Sequence, residues 1–161
     1  MKPRVAILMG SDSDAEALKP CGEVLREFGV PFIARVLSAH RTPNETVQFA
    51  EAAKREGIQV LICAAGGAAH LAGVVAAHTE LPVIGIPIET SSFKGMDSLL
   101  STVQMPAGTP VATVAVGSGG VRNAAFLAIR MMAMQDSGLE KALIDYKKKN
   151  IEKILKKTVA L

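Results

Sequence analysis

Apolar residues come in short runs that alternate with amphipathic stretches along the whole chain. Residues 4–9 (RVAILM) form an apolar run ended by Gly10 and read as a first strand. Residues 12–28 carry Leu18, Val24, Leu25 and Phe28 at helical spacing. Pro20 lies inside that stretch, so a kink or a late helix start is expected, and Gly29 supplies the stop. Residues 32–37 read as a second strand. Thr42-Pro43-Asn44-Glu45 has the form of a helix start. Thr42 would accept from free backbone N–H groups, Pro43 suits the first turn, and Glu45 would complete a capping box. That helix should run to about residue 56 and stop at Gly57.

The alternation continues with a third strand over 59–65 (QVLICAA), Gly66-Gly67 and a short helix over 68–78. A fourth strand is expected over 82–87, a helix over 96–103 and a fifth strand over 111–116. A long apolar helix follows over 119–134, then a final amphipathic one over 139–155, its tail extending to about 157. Strands separated by helices predict an α/β sandwich around a parallel sheet with right-handed crossovers. The length of 161 residues suits a single domain spanning 1–161.

Composition sharpens this picture. Hydrophobic residues make up 49% of the chain but aromatics only 4%, with no Trp and one Tyr. The core must be built from aliphatic side chains and Met, which suits a sheet buried on both faces. Ala-lined surfaces of this kind also suit contacts between copies, so a homo-oligomer is expected. The formal charge is +3, and Lys147, Lys148, Lys149, Lys153, Lys156 and Lys157 gather near the C-terminus. Clustered lysines can neutralise phosphates. No aromatic residues are interleaved for base stacking, so a solvated terminal helix is the better reading and no nucleic-acid partner is expected. No apolar run reaches the roughly 18 residues of a membrane span. Cys21 and Cys63 form no CxxC, and no signal peptide is evident, so a reduced, cytoplasmic protein is expected.

In open parallel sheets, ligands bind beyond the carboxyl ends of the strands. Three loops there are small and polar. After the first strand comes Gly10-Ser11-Asp12-Ser13-Asp14, where Ser11 and Ser13 near a helix start suit an anion and a carboxylate suits ribose hydroxyls. Plain N-capping would use the same residues. After the second strand comes Ser38-Ala39-His40-Arg41. Arg41 can grip phosphate with a planar fork of donors, and His40 is the side chain best suited to move protons near neutral pH. After the third strand comes Gly66-Gly67-Ala68-Ala69-His70-Leu71, which lacks the GxGxxG pattern but lets a flat ring approach the backbone. Gly117-Ser118-Gly119-Gly120 reads as an ordinary strand-to-helix turn, and His78 as structural. The histidines and cysteines show no metal-ligand spacing, so neither metal nor cofactor is expected.

The stretches MGSDSD (9–14), SAHRTP (38–43) and AGGAAHL (65–71) stand together in one order with GMDSL (95–99) and VQMP (103–106). In that order they resemble the 5-(carboxyamino)imidazole ribonucleotide mutases, from about Arg4 to the helix after Gly119. The resemblance implies a three-layer flavodoxin-like sandwich with a five-stranded parallel sheet in the order 2-1-3-4-5, and a homo-octamer with sites near subunit interfaces. It implies purine biosynthesis on a small nucleotide substrate. Ser11 and Arg41 would hold phosphate with Ser13 and Ser38 nearby, and Asp14 would bind the ribose. His40 would shuttle the proton. Gly66, Gly67, His70 and Leu71 would meet the aminoimidazole and its carboxylate. The segment 104–106 would reach a neighbouring subunit's site. A related branch, the carboxylases that use free carbon dioxide, typically has Lys after the motif His; here Arg41 follows His40. Ala72 departs from the usual Pro and removes no functional group, and Phe93-Lys94 is also less usual. A non-catalytic flavodoxin-like binding module would share the fold. A flavin version lacks its aromatics here, and a receiver module lacks its phosphate-accepting Asp after the third strand.

Overall fold

The computed structural model describes residues 2–159. The element order is β1 (Val5–Met9), a 3-10 turn (Asp12–Asp14), α1 (Ala15–Glu27), β2 (Phe32–Val36), α2 (Pro43–Ala53) and β3 (Val60–Gly66). It continues with α3 (Leu71–Ala77), β4 (Val83–Ile88), α4 (Met96–Val103), β5 (Ala112–Thr113), α5 (Ser118–Ala133) and α6 (Ser137–Leu155). The five strands form one parallel sheet in the order β2-β1-β3-β4-β5, as expected.

Alternate side chains of the central strands feed two cores. On one face Val5, Ile7, Ile62 and Ile84 pack against α1 and α5. On the other Ala6, Leu8, Leu61 and Cys63 pack against α2 and α3. Burying each such aliphatic side chain contributes about 1.5–3 kcal/mol relative to exposure. Both faces are needed because β1 is buried along its full length. Burial pushes the Cys21 thiol up to about 12 and the Cys63 thiol higher still, so both are inert core residues.

Small residues set the close approaches. Gly85 of β4 faces α4, and a Cβ there would collide with the Thr102 methyl and with Val111. Gly120 sits directly over the Ala115 carbonyl, leaving no room for a Cβ. The polar groups buried in α4 are satisfied: the Ser98 hydroxyl donates to the Ile88 carbonyl at 2.7 Å, and the Thr102 hydroxyl to the Ser98 carbonyl at 2.7 Å. Asp136 caps α6 by accepting from the Leu139 N–H at 3.2 Å and pairs with Arg4 at 2.8 Å. This joins the last helix to the start of β1. The hydrogen bond from Arg4 holds the Asp136 carboxyl below the usual carboxylate range. Tyr146 of α6 lies 5.5 Å from the Phe28 ring and 4.9 Å from Phe126 of α5.

Five local expectations need correction, the first being the helix expected over 68–78, which is α3 from Leu71 to Ala77. The helix after β1 begins with a 3-10 turn and runs through Pro20 as α1. The carbonyl that proline leaves unpaired belongs to exposed Glu16, within reach of water. Helix α2 ends at Ala53, and the turn to Gly57 closes with the Ile58 N–H on the Ala53 carbonyl at 3.0 Å. Thr42 makes no side-chain cap to α2, because its hydroxyl turns back onto Ser38. The fifth strand pairs only at Ala112 and Thr113 rather than over 111–116. After Val114, whose N–H still reaches the Gly85 carbonyl at 3.1 Å, the chain leaves the sheet so that Ala115 can sit against Gly120.

Candidate active site

Three strands end side by side at the same edge of the sheet, and their loops build one cavity of about 420 Å³. β1 delivers Gly10, Ser11 and Asp14 to its wall; β2 delivers Ser38, Ala39, His40 and Arg41. β3 delivers Ala65, Gly66 and Ala68, followed by His70 and Leu71 at the start of α3. The loops stay together because the Gly10 N–H donates to the Ala64 carbonyl at 3.2 Å, and the Leu37 N–H to the Met9 carbonyl at 2.9 Å.

The loop after β2 is held by its own side chains. The Ser38 N–H donates to the Thr42 hydroxyl at 2.9 Å, and that hydroxyl reaches the Ser38 carbonyl at 3.2 Å. The buried Ser38 hydroxyl accepts from the Arg41 N–H at 3.2 Å and from Arg41 Nε at 3.4 Å. Arg41 Nη2 crosses to the Gly10 carbonyl of the neighbouring loop. The guanidinium is thereby fixed between two loops, with further donors free for a ligand.

In the loop after β1, the Ser11 hydroxyl accepts from the Ser13 N–H at 3.3 Å and lies 2.8 Å from the Ser13 hydroxyl. Burial lifts the Asp14 carboxyl above the usual range, opposed by hydrogen bonds from Ser11 and Ser13 and by the Arg41 charge. Across the cavity, His40 Nε2 lies 2.8 Å from His70 Nδ1, with the two rings at 81°.

Of the residues singled out from sequence, Ser11, Asp14, Ser38, His40, Arg41, Gly66, His70 and Leu71 share this cavity. Ser13 and Gly67 do not line it: Ser13 supports Ser11, and Gly67 turns the chain with a φ of 63°. Gly117–Gly120 lies elsewhere, opening α5. His78 Nδ1 is 3.6 Å from a Glu51 carboxylate oxygen, a peripheral contact. Three wall residues were not singled out: Ala39, Ala65 and Ala68. Ala65 lies within the carboxyl end of β3, and Ala39 and Ala68 lie in the loops beyond β2 and β3; that placement at the strand ends, inside the stretches 38–43 and 65–71, was the signal they carried. Gly10 was read as a turn, yet its carbonyl anchors Arg41. Among the described residues, no three His, Cys, Asp or Glu side chains cluster so as to hold a metal ion. No helix among them is long and apolar enough to cross a membrane.

The chain matches the family model described as AIR carboxylase over residues 4–153. It is 49% identical to the N5-carboxyaminoimidazole ribonucleotide mutase of Brucella melitensis, covering 96% of this chain and 95% of that one. The protein of the same name from Bacillus subtilis is 46% identical, with 96% of each chain covered. That from Escherichia coli is 46% identical, with 94% of this chain and 90% of the relative covered. Among solved structures, that of Treponema denticola PurE superposes with a TM-score of 0.84 at 30% identity, covering 95% of this chain and 94% of that chain.

Proposed function

The chain belongs to the AIR carboxylase family, and from that membership we propose that it is an N5-carboxyaminoimidazole ribonucleotide mutase, the activity named in its relatives. It moves a carboxylate from the exocyclic nitrogen of the nucleotide to ring carbon 4, in purine biosynthesis. The observation that carries the reading for this chain is the cavity itself. An anchored Arg41, two carboxyl-terminal loops of small residues and a histidine pair converge where a parallel sheet binds ligands.

Ser11 and Arg41 are proposed to hold the phosphate, with Ser13 and Ser38 supporting them. Asp14 takes the ribose hydroxyls. The aminoimidazole lies against Gly66, with His70 and Leu71 beside it and Gly67 shaping the turn. His40 is the proton-transfer group. As an acid it protonates the carbamate nitrogen; the C–N bond breaks, its electron pair stays on nitrogen, and carbon dioxide is released. Ring carbon 4 attacks the carbon dioxide, and His40, now a base, removes the ring proton. The group begins and ends in the same protonation state, so the cycle calls for no cofactor. Holding carbon dioxide beside the ring supplies most of the acceleration.

The reading extends to a cytoplasmic assembly of eight copies. Support comes from α4, where Met96, Leu100 and Val103 are each about half exposed along one stripe. Gln104-Met105-Pro106 follows that stripe, which favours its contributing to a neighbour's site.

The test is an assay of metal-stripped protein. One arm supplies the carbamate nucleotide; the other supplies aminoimidazole ribonucleotide with bicarbonate. Turnover of the first and slow use of the second is expected. The reverse preference would reassign the chain to the carboxylases that use free carbon dioxide. In the same assay, His40→Asn should keep nucleotide binding and lose on the order of 10²–10⁴-fold in turnover. Near-normal turnover would remove His40 from the mechanism.

A further inference from the structure

His40 and His70 lie 30 positions apart, yet their rings meet through Nε2 and Nδ1 at 2.8 Å. Two imidazoles in that contact have four nitrogens, of which the bridging two can share only one proton. The outer nitrogens, His40 Nδ1 and His70 Nε2, lie outside the bridge. A neutral pair carries two protons and a singly charged pair three, and both keep the bridge. A fourth proton would place N–H against N–H and break it.

We propose that the two histidines act as one relay, in which His40 exchanges protons with the nucleotide and His70 is the positioning residue that stores the charge and refills His40 through the bridge. This rests on the mutase reading. In the charged pair, His70 carries protons on both nitrogens and donates from Nδ1 to His40 Nε2, while His40 carries its own proton on Nδ1. The His40 Nδ1–H bond breaks as an N–H bond forms on the carbamate nitrogen. In the same motion the bridging proton moves from His70 Nδ1 to His40 Nε2. Both rings end neutral. When ring carbon 4 loses its proton to His40 Nδ1, the bridging proton returns to His70 and the pair regains its charge. No atom is consumed, and two protons move in each direction.

The surroundings fit this division of labour. Of the groups lining the cavity, Asp14 from the turn after β1 and Arg41 from the loop after β2 carry charge. The loop after β3 adds only Ala65, Gly66 and Ala68, with Leu71 beyond His70. Arg41 is held by Ser38 and Gly10 rather than by either histidine, so the pair's own bridge is its visible route for a proton.

The experiment is single-turnover conversion of the carbamate nucleotide in mixtures of light and heavy water. Wild-type protein is compared with His70→Ala and His70→Asn. The asparagine amide keeps a hydrogen-bond donor near the place of Nδ1 but cannot carry the charge. A relay predicts a curved dependence on deuterium fraction in the wild type and a straight one in both variants. Both should lose at least roughly tenfold in rate, with KM within about threefold of wild type. Wild-type rate in His70→Asn would mean that His70 only orients His40, and would overturn the relay. A straight dependence in the wild type, or curvature that survives in His70→Ala, would also overturn it. Failure of the wild type to convert the carbamate would overturn the mutase reading as well, which separates the two failures.

Discussion

Desolvation in the cavity wall lifts the Asp14 carboxyl above the usual carboxylate range, more than the hydrogen bonds from Ser11 and Ser13 and the Arg41 charge lower it. A carboxyl whose folded state resists ionisation weakens folding once it is charged. That penalty is fully present above its folded pKa and absent below the unfolded value of about 4. Asp14→Asn should therefore raise the melting temperature of the ligand-free protein at neutral pH, with the gain closing as the pH falls to that value. It should also weaken nucleotide binding, measured by calorimetry. A lower melting temperature at neutral pH would mean that the hydrogen bonds to the carboxylate outweigh its burial. At this scale the sequence was informative about which loops matter and less so about their internal wiring. Ser11, His40 and Arg41 could be placed by the strand-end rule alone. The His40–His70 contact could not, because no local spacing brings together residues from two crossovers. Nor could the Arg41 bond to Gly10, which depends on how closely β1 and β2 lie.

Elements were legible where apolar runs are continuous and bounded by glycine, proline or a charged residue. β1, β3 and β4 fall within a residue of their expected ends because their side chains are buried on both faces. β5 is the counterexample. Its six-residue apolar run, 111–116, reads as a strand, but only two residues pair, since Ala115 is needed under Gly120 to start α5. Thr42 shows the same limit. It stands at the helix start, but its hydroxyl closes the loop carrying His40 and Arg41 instead of capping α2. Tertiary demand overrides the local signal at both places. The contact between β4 and α4 makes the prediction at this scale. Gly85→Ala places a methyl where the Thr102 and Val111 side chains already sit. It should destabilise the protein by about 1–3 kcal/mol in denaturant unfolding. An unchanged midpoint would mean that α4 rides on the sheet more loosely than its packing indicates.

For the whole molecule, the half-exposed stripe Met96, Leu100 and Val103 is the surface on which the proposed assembly rests. Leu100→Glu should shift the protein to smaller species in sedimentation velocity while leaving far-UV circular dichroism unchanged. An unaltered sedimentation coefficient would remove α4 from the interface. The aliphatic composition that pointed to a parallel sheet has another consequence at the far side of the molecule. With no tryptophan and one tyrosine in the chain, emission excited beyond the phenylalanine absorption band comes from Tyr146 alone. That ring packs against the Phe28–Phe126 pair, where the last helix meets the body of the protein. The protein thus carries a built-in optical gauge, and a change in its brightness or anisotropy reads the seating of one helix without any label.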